Sequence, residues 1–317
     1  MAEFLVTGGA GFIGSNIVHY LVENGKSVRV IDNLATGNKE NIESILSKID
    51  FVEGDITKPE DCIKAVKGVS YILHQAAVPS VPRSVKNPIM SHESISTGTL
   101  NLLIAAKDAK IKRFVLAGSS SVYGDQAVDF KSEDLIQCPL SPYAAAKTSC
   151  EHYLRAFNVC YELETVTLRY FNVFGPRQNP YSEYSAVIPK FIKLIMKGES
   201  PVIYGDGLQA RDFTFVENNV KANILAATGN FKANGQVYNI ACGESYSIID
   251  LVNEINSILN TDVKPKFEDA RIGDVKVSKA NISKARKELG YDVSVSFREG
   301  LKKTIEWYKN NGEAVSQ

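Results

Sequence analysis

The sequence lacks the marks of several protein classes. Its five cysteines include no C-x-x-C pair and its four histidines have no metal-ligand spacing, so neither a disulfide framework nor a metal site is expected. Lysine plus arginine equal aspartate plus glutamate at 36 each, which gives no electrostatic reason to expect a nucleic acid or an anionic membrane as partner. No stretch approaches the roughly 20 apolar residues that span a bilayer, and no signal peptide is recognisable at the amino terminus. We therefore expect a cytoplasmic globular protein.

Short apolar runs alternate with helical patterns through the first half of the chain. The patterns predict strands at 4–7, 27–32, 50–52, 69–74, 113–117 and 165–168, and helices near 12–23, 39–48, 58–67, 88–109 and 141–161. This alternation indicates an α/β fold, a Rossmann-type doubly wound parallel sheet. The nearly continuous apolar runs fit strands that are covered on both faces.

The second half has a different rhythm, with denser proline and glycine after residue 172. Helical patterns recur near 184–197, 217–227, 247–259 and 297–310. We predict that residues 1–172 form the Rossmann domain and that residues 173–317 form a smaller α/β lobe that binds the substrate. Some segments of the second half are expected to return to the main sheet.

A glycine-rich turn joins the first predicted strand to the first helix. Gly8, Gly11 and Gly14 allow the backbone to approach a pyrophosphate, which the free N–H groups and positive dipole end of the helix attract. On its own the run could be only a tight strand–helix turn. Asp32 ends the second strand 18 residues after Gly14, near the spacing of about 20 expected for a carboxylate that binds the adenosine ribose. That carboxylate would repel a 2′-phosphate, so NAD is favoured over NADP.

Tyr143 and Lys147 are four residues apart on a predicted helix, so they lie on one face. A phenol is a poor base at neutral pH, but a nearby ammonium and the positive charge of a bound nicotinamide stabilise the phenolate form. The tyrosine can then exchange a proton with a sugar hydroxyl. The Y-x-x-x-K pattern is common by chance. Here it follows residues 119–121, three serines at the carboxyl end of a predicted strand, where open α/β sheets bind their ligands.

Taken together, these segments resemble the extended short-chain dehydrogenase/reductase family, and its nucleotide-sugar epimerases in particular. The matching segments are TGGAGFIG (7–14), IDNLATG (31–37), GDI (54–56), HQAA (74–77), SSSVYG (119–124), SPYAAAK (141–147), RYFNVFGPRQNP (169–180), YGDGLQARDF (204–213) and RIGDV (271–275). They follow one another over nearly the whole chain. The resemblance implies NAD as cofactor, a UDP-sugar as substrate, and Ser119, Tyr143 and Lys147 as the catalytic triad.

The resemblance also implies which residues bind each ligand. Those expected at NAD are Gly8, Gly11, Phe12, Ile13, Gly14, Asp32, Asn33, Thr36, Gly37, Asp55, Ile56, Gln75, Ala76, Ala77, Tyr143, Lys147, Tyr170 and Val173. Those expected at the UDP-sugar are Ser80, Ser119, Ser120, Ser121, Tyr143, Asn172, Gln178, Val187, Tyr204, Gln209, Arg211, Arg271, Asp274 and Ser278. Arg211 and Arg271 are assigned to phosphate, whose geometry a guanidinium matches. Asp55 and Ile56 can hold the adenine edge or serve only as a loop cap.

One position departs from the family pattern. The family commonly has an asparagine three residues before the glycine of Asn-x-x-Gly-Thr, whereas this chain has Ile95 at that place. The contact of that asparagine with the cofactor or with the neighbouring helix is therefore not carried over. The helices near 88–109 and 141–161 still resemble the family's dimer-forming pair, so a homodimer through a four-helix bundle is expected. Their apolar faces could instead be internal core.

The residues after the triad serine favour one reaction within the family. The 4,6-dehydratases carry Thr-Asp-Glu at this place, because the elimination of water needs an acid and a base, and the related decarboxylases usually keep a glutamate. This chain has Ser120 and Ser121 there. Oxidation and re-reduction at sugar C4 remains as the simplest chemistry, so the resemblance implies a 4-epimerase.

One position bears on the sugar. In these epimerases the residue seven after the last arginine lies beside the hexose C2 region, where a tyrosine leaves room only for a hydroxyl. Here that residue is Ser278, which with Ser80 favours UDP-GlcNAc and UDP-GalNAc, with UDP-glucose and UDP-galactose as additional substrates. Ser278 could also be merely a small surface residue. The alternatives are a UDP-glucose epimerase, a dehydratase or decarboxylase, a net oxidoreductase, and an inactive NAD-binding regulator.

Overall fold

The computed structural model describes residues 2–180, 186–269 and 277–311. The strands in these ranges are β1 Phe4–Thr7, β2 Val28–Asp32, β3 Asp50–Glu53, β4 Tyr71–His74, β5 Arg113–Ser119, β6 Thr165–Tyr170, β7 Val173–Phe174, β8 Val202–Tyr204, β9 Ala210–Arg211, β10 Thr214–Phe215, β11 Asn234–Ile240, β12 Tyr246–Ser247, β13 Lys266–Glu268 and β14 Val277–Ser278. Seven of them form one parallel sheet in the order β11-β6-β5-β4-β1-β2-β3. The predicted doubly wound α/β fold is confirmed.

The helices agree closely with the periodic segments of the sequence. They are α1 Phe12–Glu23, α2 Pro59–Val66, α3 Val81–Lys86, α4 Pro88–His92, α5 Gly98–Asp108, α6 Pro142–Tyr161, α7 Val187–Met196, α8 Val216–Thr228, α9 Ile248–Leu259 and α10 Phe297–Asn311, with 3-10 helices at Lys39–Lys48 and Ser120–Tyr123. The helix predicted near 88–109 consists of α4, a π-helical turn at Glu93–Thr97 and α5. Within the described ranges, none of the helices has both the length and the apolar character needed to cross a membrane.

The main sheet is covered on both faces because its strands alternate between two apolar clusters. In β1, Phe4 and Val6 pack on one face with Ile17 of α1, whereas Leu5 packs on the other face with Leu102 of α5. All five side chains are fully buried. Burial of each such side chain contributes about 1.5–3 kcal/mol to the free energy of folding. The uninterrupted apolar run of β1 thus packs against both clusters.

The second half of the chain contributes to the main sheet and to a separate layer. β11 pairs with β6 at one edge of the main sheet, and α8 packs against α1. The short strands form three small sheets, β7 with β10, β8 with β13, and β9 with β12 and β14. A third apolar cluster, which includes Phe174, Phe215 and Phe297, joins α7, α9 and α10. The domain boundary at residue 172 stays a prediction. β11 from the second half and β6 from the first pair within the main sheet.

Candidate active site

The predicted cofactor residues lie at one edge of the main sheet. Because its seven strands are parallel, their carboxyl ends meet at this edge. Asp32 is the last residue of β2, Ser119 the last of β5 and Tyr170 the last of β6. The glycine-rich turn follows β1, and residues 75–77 follow β4.

The glycine-rich turn leaves no space for a side chain at two positions. Gly8 has a φ of +66°, and a Cβ there would lie 2.8 Å from both Cα and N of Ala76. A Cβ at Gly14 would lie 2.1 Å from the carbonyl oxygen of Gly8. Only glycine lets the backbone approach so closely, so the turn closes against the segment that follows β4.

Helix α1 begins directly after this turn with no cap on its first N–H groups. Its N-cap residue, Gly11, has no side chain to accept from them, and the first turn, which includes Phe12 and Ile13, contains no acidic residue. The N–H groups and the positive end of the helix dipole are therefore available to a diphosphate. This geometry fits the pyrophosphate of NAD.

The Asp32 carboxylate is buried beside the turn. Its Oδ2 accepts the backbone N–H of Ala10 and its Oδ1 accepts that of Leu34, both at 2.9 Å. Burial raises the pKa of Asp32 above its ordinary value, and the two N–H donors oppose that rise. A Cβ at Gly37 would lie 2.9 Å from both carboxylate oxygens, so a glycine is needed there. Two oxygens fixed at the end of β2 suit the hydroxyls of a ribose.

The Asp55 carboxylate, beyond β3, is held by its neighbours. It accepts the backbone N–H of Thr57 at 2.8 Å and the side-chain amide of Asn33 at 3.0 Å. Burial raises the pKa of Asp55, but these donors and the Thr57 hydroxyl outweigh burial and leave the pKa below its ordinary value. Asp55 does cap its loop, and its contact with adenine stays a prediction. Next to it, Ile56 is buried against Gly98, while Thr36 is exposed.

Three side chains close a ring of hydrogen bonds at the ends of β4 and β6. The Tyr170 hydroxyl donates to Gln75 Oε1 at 3.1 Å, Gln75 Nε2 donates to Asn223 Oδ1 at 3.1 Å, and Asn223 Nδ2 donates to the Tyr170 hydroxyl at 2.6 Å. Gln75 and Tyr170 were predicted from the sequence, whereas Asn223 was not. It comes from α8, in the second half, and no motif marks it.

The predicted triad, Ser119, Tyr143 and Lys147, comes from the end of β5 and the start of α6. Ser119 Oγ accepts the N–H of Ser121 at 3.2 Å and shares a hydrogen bond of 2.8 Å with Ser121 Oγ. Lys147 is only 4% exposed, and its Nζ donates to the carbonyl of Ala117 at 2.9 Å. The same Nζ lies 6.0 Å from the centroid of the Tyr143 ring. The ammonium and the phenol are thus held on one helix face, as the spacing predicted.

His74, the last residue of β4, has a buried imidazole near Lys147. His74 Nδ1 is 2.7 Å from the hydroxyl oxygen of Thr7, and its Nε2 is 2.9 Å from that of Thr99. Burial, and after it the charge of Lys147, lower the pKa of His74 to about 3. The imidazole is therefore uncharged at neutral pH.

Five of the predicted substrate residues line a cavity of about 670 Å³. They are Asn172, Val187, Tyr204, Gln209 and Arg211, and Val173, which was predicted at NAD, lines it as well. Gln209 Nε2 donates to the carbonyl of Tyr204 at 2.8 Å, and Asn172 Nδ2 donates to the carbonyl of Asp212 at 3.1 Å. The cavity also has three lysines of or next to α7 that were not predicted, Lys190, Lys193 and Lys197. Their charge suits a diphosphate, and helical spacing was the only signal that could have found them.

The other predicted substrate residues within the described ranges, including those of the predicted triad, do not line this cavity. Ser278 pairs with Arg211 where β14 runs parallel to β9, and Gln178 Nε2 donates to the carbonyl of Val173 at 3.2 Å. Ser80 precedes α3, and its Oγ accepts the N–H of Arg83 at 3.2 Å. Two predicted residues lie outside the described residues, Arg271 and Asp274. Across the described ranges, no group of three or more His, Cys, Asp or Glu is arranged to hold a metal ion.

Comparison with known families agrees with this geometry. The model of the NAD dependent epimerase/dehydratase family matches residues 4–241, which include the glycine-rich turn, Asp32 and the triad. The chain belongs to this family. The family predicted from the sequence is therefore confirmed, and with it the dependence on NAD that the family's description states.

Individual members of the NAD dependent epimerase/dehydratase family are similar over their whole length. The solved structure of UDP-N-acetylglucosamine 4-epimerase from Methanobrevibacter ruminantium M1 in complex with UDP-N-acetylmuramic acid has 42% identity and a TM-score of 0.93, over 98% of this chain and 99% of that one. UDP-glucose 4-epimerase from Thermotoga maritima with UDP-glucose has 37% identity and a TM-score of 0.92, over 98% and 99% of the two chains. A putative UDP-glucose 4-epimerase of Methanocaldococcus jannaschii is 38% identical over 97% of this chain and 98% of its own length.

Proposed function

We propose that this protein interconverts UDP-GlcNAc and UDP-GalNAc at sugar C4, and that it also accepts UDP-glucose and UDP-galactose. The observation that carries the proposal is the set of hydroxyls at the end of β5. Ser120 and Ser121 stand next to the triad serine, and neither can supply the carboxyl group that elimination needs. The similarity to a UDP-N-acetylglucosamine 4-epimerase at 42% identity supports the choice of sugar.

Tyr143 is the acid–base group of the proposed reaction. Its phenolate accepts the proton of the sugar 4-hydroxyl, and the phenol returns a proton when the ketone is reduced. Lys147, anchored on the Ala117 carbonyl, stabilises the phenolate with its positive charge. Ser119 accepts the N–H of Ser121 and has one hydroxyl proton, which it can donate to the sugar oxygen.

Epimerisation needs the 4-keto sugar to present both faces while its nucleotide stays bound. NAD, which the glycine-rich turn and Asp32 would hold, would supply the hydride acceptor and the hydride donor for C4. The cavity provides the fixed end, because Asn172, Arg211 and the lysines around α7 line it where a diphosphate would bind. The protein contributes chiefly by positioning the sugar for both transfers.

Two serines support an N-acetylated sugar. Ser278 lies beside Arg211 in the register of β14 and β9, and its side chain is much smaller than that of a tyrosine. Ser80 has a φ of +134°, a conformation that residues with a Cβ rarely adopt. Such strain costs on the order of 1–3 kcal/mol and clusters at ligand sites. A serine retained at this place is consistent with a role for its hydroxyl at the substrate.

The test is to incubate the purified protein separately with UDP-GlcNAc and UDP-glucose and to resolve the products. We expect UDP-GalNAc and UDP-galactose, each with the mass of its substrate. A product that has lost water or carbon dioxide would identify a dehydratase or decarboxylase, and accumulating NADH would identify a net oxidoreductase. Conversion of UDP-glucose alone would favour the narrower epimerase, a candidate that the similarity to the Thermotoga maritima protein supports.

We also propose that the protein is a homodimer, in which α5 and α6 of each subunit form a four-helix bundle. α6 exposes 39% of Tyr153 and its neighbour α5 exposes 44% of Ile104. Exposed apolar side chains on two neighbouring helices suit a partner surface. A cytoplasmic location is part of the same proposal, because the five cysteines are unpaired and two of them, Cys138 and Cys160, are exposed.

Tyr153→Asp is expected to dissociate this dimer. A carboxylate in the middle of an apolar interface would have to lose its hydration without a partner, so dimer affinity should fall by about thirtyfold or more. Light scattering after gel filtration at several concentrations measures the change. Tyr20→Asp, at a similarly exposed tyrosine of α1, is the matched control. A dimer that is equally stable in both variants would exclude the α6 interface.

A further inference from the structure

Asp212 follows β9 and is fully buried next to the substrate cavity. Its carboxylate accepts three backbone N–H groups from two distant segments. Oδ1 accepts from Cys242 at 2.9 Å, and Oδ2 accepts from Gly243 at 3.0 Å and from Ala280 at 3.2 Å. The side chain therefore ties β9 to the turn after β11 and to the segment after β14.

The backbone of Asp212 reaches the substrate side as well. Its N–H donates to the carbonyl of Ser278 at 2.8 Å, and its carbonyl accepts from Asn172 Nδ2 at 3.1 Å. The preceding residue is Arg211. Three predicted substrate residues are thus connected to the backbone of Asp212, since it is hydrogen-bonded to Asn172 and Ser278 and covalently joined to Arg211.

We propose that Asp212 is a positioning residue for the nucleotide sugar, and that its carboxylate holds Asn172, Arg211 and Ser278 in the arrangement that binds UDP and the hexose. This inference rests on the proposed function, because it takes a UDP-sugar as the ligand. Asp212 does not touch the reacting atoms and acts only through these three residues.

The electrostatic cost of this arrangement supports a specific role. The pKa of Asp212 is raised to about 7, because burial outweighs the lowering by the N–H groups of Cys242, Ala280 and Gly243, and the charge of Glu244 adds to the rise. A buried carboxylate adds little net stability compared with a well-packed apolar side chain. The Asp212 carboxylate does accept three backbone N–H groups at once, and these bonds fix the relative positions of β9, the turn after β11 and the segment after β14.

The main test is Asp212→Asn. The amide has the same shape, but its oxygen can replace only one carboxylate oxygen, so at least one of the three N–H groups loses its acceptor. We expect KM for the UDP-sugar and Kd for UDP to rise about tenfold, with kcat changed much less and the content of NAD unchanged. The control is Asp262→Asn, at an exposed aspartate that pairs with Lys264.

A second measurement keeps the inference testable if Asp212→Asn does not fold. Binding and ordering are reciprocal, so UDP should slow hydrogen–deuterium exchange of the wild-type peptides that contain 242–243 and 278–280. UDP that binds without changing this exchange would contradict the inference. So would an unchanged KM and Kd in the variant, or loss of NAD together with UDP, which would assign Asp212 to folding. A wild type that does not bind UDP would overturn the proposed function itself.

Discussion

Tyr143→Phe is expected to lower turnover by about a thousandfold, within the range that a positioned acid–base group contributes. The substitution removes only the phenolic oxygen. The ring is retained, and it packs against the apolar cluster formed by α5, α6 and the main sheet. The fold and the binding of NAD and UDP should therefore persist, because the proton of the sugar 4-hydroxyl is the one thing left without an acceptor.

Initial rates of epimer formation measure the loss of turnover. Thermal unfolding and the NAD content of the purified variant show whether the fold and cofactor binding are intact, so that the loss can be assigned to the reaction step. Tyr20→Phe, at an exposed tyrosine of α1, is the matched control and should leave the rate unchanged. A variant Tyr143→Phe with near-normal turnover would remove Tyr143 from the mechanism. Loss of NAD or of the fold would show that the ring rather than the hydroxyl is essential.

Ser278→Tyr is expected to separate the two classes of sugar. A tyrosine at the position that pairs with Arg211 would occupy the space proposed for the N-acetyl group. Conversion of UDP-GlcNAc should fall by about a hundredfold, the order that a misfit in a closely packed pocket produces. Conversion of UDP-glucose should change little, since its C2 carries only a hydroxyl.

The measurement is kcat/KM for both sugars in wild type and variant, compared as a ratio. Ser283→Tyr, at an exposed serine a few residues further along, tests whether a tyrosine on this surface has a general effect. Equal loss with both sugars would contradict the assignment of Ser278 to the C2 pocket. It would show instead that the backbone bond from Asp212 to Ser278 tolerates no larger side chain.

Helices and strands could be predicted from the sequence where their buried residues recur in a periodic apolar pattern. The inner strands of the main sheet are covered on both faces, so they are rich in apolar residues, and the helices between them show a single apolar stripe. The π-helical turn around Ile95 was not predictable, because one extra residue in a helix leaves no periodic signal. The same holds for α3 and for the two-residue strands, which are too short for a pattern.

The site was predictable to the extent that its residues stand at the carboxyl ends of strands or within one helix. Asp32, Ser119 and Tyr170 each end a strand, and a parallel sheet brings such ends together. Asn223 and Asp212 were missed. The side chains of Asn223 and Asp212 are hydrogen-bonded to residues that are thirty or more positions away in the sequence, and no local spacing reveals such partners.

The sequence by itself determined six of the seven strands of the main sheet, the glycine-rich turn, the carboxylate that favours NAD and the pair Tyr143 and Lys147. These depend on local chemistry, namely alternation, backbone freedom and one helical turn. Only the tertiary structure decided how the second half encloses a cavity and how Asn172, Arg211 and Ser278 come together around Asp212. The physical reason is that buried N–H groups from distant segments must find acceptors, and which acceptor they find is settled only when those segments pack.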